Sequence, residues 1–271
     1  MKIIYIDLFS SCIIFKVFDE ETYNIIFGLF SNIISQNSEV SKNANSKEIE
    51  IMKNNEKYFT IRYLDYIYTV DENLLIEKLI DFVSDSFTLF QNKQVAFFHA
   101  SVVAKEDKCT LIIAPSYNGK TTLSTQLTLM GYEYISDDLA IVNGEGYLLP
   151  FPTPIKLRKN HRIDIYKFRE NYVITELPNY WILTPLDKSN LSKKYKPDKI
   201  LFLNRNPNID FFMCSNLSRI ETINKLMNNA AHIRDSFIHS KISVLLSGFC
   251  CVFDICYKEY QQILKERKIG L

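Results

Sequence analysis

The sequence predicts a mixed α/β fold, with a β-rich N-terminal module over residues 1–90 followed by a phosphate-loop domain over residues 91–271. Three observations predict it. Short apolar runs rich in β-branched and aromatic residues fill Met1 to Tyr68, too brief for helices. The segment APSYNGKTT then joins an apolar run to a helix-like one, which is how an α/β nucleotide site begins. The strands and helices beyond it do not alternate strictly, so the sheet is expected to mix strand directions (α/β with α+β character). With 271 residues, 47% hydrophobic and 23% charged, the chain can bury a full core. Its 32 Lys and Arg against 31 Asp and Glu leave a net charge of +1, which argues against gripping nucleic acid through bulk charge. No run of 18 apolar residues is present, so no membrane span is expected.

Along the chain, KIIYI, CIIFKVF, YNIIFGLF, EIEIM, YFTIRYL and YIYTV read as strands. Asp7 interrupts the first apolar stretch and no small-residue cleavage site follows, which favours a strand over a signal peptide. Ser35 to Lys47 is polar and reads as a long loop. Asp71 is placed to cap a helix over 72–90, where Leu75, Leu79, Phe82, Val83, Phe87 and Phe90 recur at helical spacing. VAFFHASVVA, a turn at Lys105 to Lys108 and CTLIIA read as a hairpin leading into the phosphate loop. The helix that follows ends at Gly131, and the strand YEYIS runs into Asp137 and Asp138. LAIVN and YLLPF form a second hairpin signal, Pro150, Pro152 and Pro154 hold an extended segment, and KILFLNR is a buried-strand candidate. Residues 216–247 read mostly as helix, and FCCVFDICY with YKEYQQILKERK supplies a last strand and short helix. Six cysteines without a CxxC pair or zinc spacing read as reduced thiols, from which a cytoplasmic location is expected.

Chemistry concentrates between residues 99 and 158. Ala114-Pro115-Ser116-Tyr117-Asn118-Gly119-Lys120-Thr121 fits GxxxxGK[ST] at all but its first glycine. Backbone N–H groups of such a loop, with those of Thr122 and the helix start, point at phosphate oxygens, and Gly119 lets the main chain come close. Lys120 would reach the terminal phosphates, and the Thr121 hydroxyl is suited to Mg²⁺. Asp137 and Asp138 end a strand expected beside the loop. One carboxylate can serve the metal and the other can take a proton from an attacking hydroxyl, and each raises the other's pKa. His99 on its own, isolated among apolar residues, reads more readily as a core histidine with a satisfied hydrogen bond than as a functional one. Lys156 and Arg158 share a face of an extended segment and could neutralise a transferring phosphoryl group or simply be solvated. His161, His232 and His239 have no ligand-like spacing and read as structural.

Residues 98–142, from FHASVV through the phosphate loop to SDDLAIV, resemble the catalytic core of the HPr kinase/phosphorylase family, serine kinases related to phosphoenolpyruvate carboxykinase. The resemblance implies ATP and Mg²⁺ as cofactors, Lys120 and Thr121 on the phosphates and metal, Asp137 as general base, Asp138 supporting the metal, and His99 beside the aspartate as an orienting residue. LPFPTPIKLR is similar to the segment seen in HPr-kinase-related enzymes of lasso-peptide and other ribosomal natural-product clusters, which implies a peptide or protein serine hydroxyl as acceptor. The glutamate- and glycine-rich signature of HPr kinases proper is absent, so neither HPr as substrate nor the reverse phosphorylase reaction is implied. The expected partner is a peptide, with neither nucleic acid nor membrane, and a homo-oligomer is compatible with the sequence. Two other readings use the same residues: a small-molecule hydroxyl kinase, and a nucleotide-binding module that captures a peptide without chemistry.

Overall fold

A computed structural model of the chain describes residues 1–8, 11–35, 45–55, 57–89, 95–159, 163–187, 191–231 and 236–271. In chain order the elements begin with β1 (Lys2–Leu8), β2 (Ser11–Val17), α1 (Glu20–Phe30), β3 (Asn45–Lys53), β4 (Tyr58–Tyr63), β5 (Tyr66–Asp71) and α2 (Glu72–Leu89). Then come β6 (Val95–Phe98), β7 (Ala100–Lys105), β8 (Lys108–Ile113), α3 (Lys120–Leu129), β9 (Glu133–Ser136), β10 (Ala140–Asn143), β11 (Leu148–Leu149), β12 (Ile155–Arg158), β13 (Tyr172–Glu176) and β14 (Tyr180–Pro185). The chain closes with β15 (Lys196–Arg205), β16 (Met213–Asn216), α4 (Arg219–Asn228), α5 (Ser236–Phe249), β17 (Cys251–Tyr257) and α6 (Tyr260–Lys265). The fold is mixed α/β, and no helix among the described residues is long and apolar enough to cross a membrane.

Two compact units are formed, the first from 1–91, 153–160 and 168–188 and the second from 92–152, 161–167 and 189–271. A single break at residue 90 therefore does not describe the chain. The proline-spaced segment leads into β12, which pairs antiparallel with β14, and β13 completes a small sheet that belongs to the first unit. Burial of Ile155, Leu157, Ile182 and Leu183 drives that pairing, and it is non-local.

In the first unit a five-stranded sheet runs β1-β2-β3-β4-β5, with β2 and β3 parallel and the other pairs antiparallel. YNIIFGLF is not a strand. It lies in α1, where Asp19 accepts a hydrogen bond from the Thr22 amide at 2.8 Å, two glutamates favour the positive N-terminus, and Thr22, Ile26, Leu29 and Phe30 are buried on one face. Its apolar positions satisfy both periods in so short a run, and the cap decides. The polar stretch expected as a loop is shortened, because Asn45 to Lys47 open β3, while 36–44 lie outside the described residues. Asp71 behaves as expected, accepting from the Asn73 amide at 2.9 Å as α2 begins.

The second unit holds a six-stranded sheet in the order β16-β17-β15-β8-β7-β9. Its centre, β17, β15 and β8, is parallel, and the flanking strands are antiparallel. One face packs Val102, Leu111, Ile113, Ile200 and Phe202 against α4, α5 and the three-stranded sheet β11-β10-β6. The other face packs Val103, Ile112, Leu201 and Ile255 against Leu123 and Leu127 of α3 and Ile263 of α6. Sandwiching by both layers makes the central strands continuously apolar. The expected helix over 216–247 is two, α4 and α5, and the apolar run before the phosphate loop is broken at His99 into β6 and β7. In parallel register, Ile113 stands opposite Phe202 and Arg205 opposite Tyr257, so the carboxyl ends of three strands converge at one edge of the sheet. Ligands of open α/β sheets bind at such an edge.

Candidate functional site

The phosphate loop leaves β8 at that edge and ends in the first turn of α3. Two of its residues are left-handed, Tyr117 at φ +69° and Gly119 at φ +78°. Ala114 is not left-handed, so the missing first glycine costs the loop nothing in backbone strain. Gly119 is required twice over: by its φ, and because a β-carbon there would collide with the Tyr257 hydroxyl. That hydroxyl, at the end of β17, donates to the Asn118 carbonyl at 2.8 Å. The Asn118 side chain accepts from the Arg205 amide at the end of β15 at 2.7 Å and donates to the Ser116 carbonyl at 3.2 Å. Two neighbouring strands thus brace the loop. Tyr117, by contrast, projects into solvent at 75% exposure, and Thr122 lies half-buried in the first turn of α3.

Lys120 is buried, its side chain only 7% exposed. Its ammonium donates to the Ala114 carbonyl at 3.3 Å and to His99 Nε2 at 2.9 Å, and lies 3.4 Å from Asp138 Oδ1. An ammonium can only donate, so Nε2 accepts, and Nδ1–H of the neutral ring donates to the Asp138 carbonyl at 3.1 Å. Burial, then the Lys120 charge, lower the His99 pKa, outweighing Asp138. His99 therefore links Lys120 to the backbone of the aspartate pair.

The two carboxylates differ in surroundings. Asp137 is buried and accepts from Thr121 Oγ1 at 3.2 and 3.0 Å and from Ser101 Oγ on β7. Burial, then the neighbouring Asp138 charge, raise its pKa from 3.8 to about 6, against the opposing hydrogen bonds and Lys120. Asp138 is left-handed at φ +63°, a conformation Asp tolerates, and its side chain is 45% exposed. The structure brings together Ala114, Ser116, Tyr117, Asn118, Gly119, Lys120, Thr121 and Thr122 with His99, Asp137 and Asp138. Lys156 and Arg158 belong to the other unit. There Lys156 donates to Asp81 at 2.7 Å and Arg158 lies over the Tyr180 ring at 5.9 Å, while His161 and His232 fall outside the described residues. His239 is structural: its Nε2 accepts from the Phe97 amide at 3.1 Å.

Hard oxygen donors at Thr121 and Asp137 suit Mg²⁺, and the buried Asp137 carboxylate has the charge that such an ion would balance. Among the described residues no group of three or more His, Cys, Asp or Glu converges as a ligand set. A cation here would therefore take most of its ligands from phosphate and water.

Ser101, Tyr257 and Arg205 were not singled out by the sequence. Ser101 had a local signal, a lone hydroxyl in an apolar strand two residues after His99. The other two sit at strand ends whose neighbours are set by non-local parallel pairing.

No family model matches the chain, and no curated protein matches it. Among solved structures, the HPr(Ser) kinase/phosphatase from Coxiella burnetii matches at 11% identity and a TM-score of 0.31, over 62% of this chain and 89% of that one. At that score the likeness is too loose to bear on the chemistry.

Proposed function

We propose that the chain is an Mg-ATP-dependent phosphotransferase that moves the γ-phosphoryl group to a serine-type hydroxyl of a peptide or protein, a ribosomal natural-product precursor being the acceptor the sequence suggests. The observation that carries the reading is a buried Lys120 at the head of α3 beside a Thr121–Asp137 pair, under a loop braced by Tyr257 and Arg205. The loop amides and Lys120 would take the phosphate chain, and Thr121 and Asp137 would hold Mg²⁺ directly or through water. Bound there, the ion would supply charge neutralisation for the bridging and terminal oxygens.

The surroundings of the two aspartates favour a division of labour opposite to the expected one. Asp137 has its oxygens engaged by Thr121 and Ser101, whereas Asp138 presents a half-buried carboxylate 3.4 Å from Lys120. In the reaction the acceptor oxygen attacks the γ-phosphorus in line, the bond to the β,γ-bridging oxygen breaks, and ADP leaves. The acceptor's proton passes to the Asp138 carboxylate. His99 keeps Lys120 aligned throughout, and most of the acceleration would come from positioning and electrostatics. The six cysteines, all free thiols, are in keeping with a reaction in the cytoplasm.

The test is transfer from [γ-³²P]ATP to pooled serine-containing peptides, with free serine and hexoses in parallel. Acid-stable label on peptide is expected. Label on a small molecule alone would move the acceptor to that class, and no label on any acceptor at saturating Mg-ATP would leave nucleotide binding without chemistry.

A further inference from the structure

The sequence nominates Lys156 and Arg158 to neutralise phosphate charge, and both are engaged in the other unit, by Asp81 and Tyr180. A different cation stands at the loop. Arg205 ends β15, the strand next to β8, and its own amide donates to the Asn118 side chain at 2.7 Å, so it is a direct neighbour of the residue before Gly119. Its side chain is 46% exposed and its guanidinium weakly committed: Nε donates to the Lys258 carbonyl at 3.2 Å, and one terminal nitrogen is 4.0 Å from a Glu259 carboxylate oxygen. An exposed pair at that separation contributes little and is easily exchanged. A planar guanidinium has the geometry to take two oxygens of one phosphate or of adjacent phosphates.

We propose that Arg205 is a second cation for the phosphate chain of the nucleotide, released from Glu259 when the ligand enters, so that Glu259 competes with phosphate for it. The inference rests on the reading of the loop as a nucleotide site, and it names a contact that the loop pattern does not contain. Lys120 would act from within the loop, and Arg205 from the neighbouring strand end. The reciprocal role of Glu259 adds a second requirement: competition for the guanidinium demands that phosphate bind more tightly when Glu259 loses its charge, which a residue bracing Asn118 only through its backbone does not itself demand.

The experiment is calorimetric titration of the full chain with Mg-ATP and with inorganic tripolyphosphate. Arg205→Gln is expected to weaken both at least ten-fold, Arg205→Lys to recover part of the loss, and Glu259→Gln, which keeps size and an accepting oxygen, to tighten both two- to three-fold. Arg205→Gln within two-fold of wild type, or Glu259→Gln no tighter than wild type, overturns the proposal. Should Arg205→Gln fail to fold, the Glu259→Gln result decides alone. Wild type that binds neither ligand would instead remove the nucleotide reading itself.

Discussion

Asp138→Asn is expected to lower phosphoryl transfer at least a hundred-fold while leaving Mn-ATP affinity, read by electron paramagnetic resonance, within about two-fold of wild type. A fall of two or more orders of magnitude is the scale of a lost general base. Asp137→Asn should do the reverse at the binding step, weakening the metal-nucleotide complex because the Thr121-linked carboxylate is gone. Its stability should also report the burial. A carboxyl raised from 3.8 to about 6 binds its proton more tightly when folded, so its contribution to stability is complete below pH 4 and is lost as pH rises through 6. That is about two pH units, or on the order of 3 kcal/mol. Ligand-free Asp137→Asn lacks the group, so its advantage over wild type should grow between pH 4 and 7 and then level off, as urea unfolding would show. Equal transfer by Asp138→Asn and wild type would return the base role to Asp137.

Gly119→Ala should destabilise the ligand-free chain by about 2–4 kcal/mol and abolish nucleotide binding. Part of the cost is the left-handed backbone, about 1–2 kcal/mol for a residue with a β-carbon. The rest is displacement of the Tyr257 hydroxyl and loss of its hydrogen bond to Asn118, about 1 kcal/mol or more for a part-buried pair. Tyr257→Phe removes the colliding oxygen, so the double variant should be more stable than the sum of the single costs predicts, with a coupling of about 1 kcal/mol. Additive costs in urea unfolding would mean that the hydroxyl and the loop do not meet as described.

These residues show which parts of the site were legible. The loop from Ala114 to Thr122 and the aspartate pair lie within a short stretch of chain and were nominated by their residue pattern, whereas His99, in the same stretch, was nominated by the family resemblance. The strand–loop–helix frame was equally local, since β8 and α3 declare themselves by apolar run and length. Roles were harder. Which aspartate is buried depends on Ser101 and Thr121, brought together by β7 pairing with both β8 and β9. Arg205 and Tyr257 depend on parallel pairing of β15 with β8 and of β17 with β15, which joins residues far apart in the chain, Ile113 with Phe202 and Lys199 with Cys251. The first unit was misread where periods are ambiguous, as in α1, and where β12 to β14 return to it from far along the chain.

Thermal unfolding of wild type and Lys120→Met, with and without Mg-ATP, tests the nucleotide site most directly. Ligand at 100 times its dissociation constant stabilises by about 2.7 kcal/mol, a rise of roughly 5–10 °C for a chain of this size. That rise is expected for wild type, and its loss in Lys120→Met. Equal shifts in both proteins, or none in wild type, would contradict it.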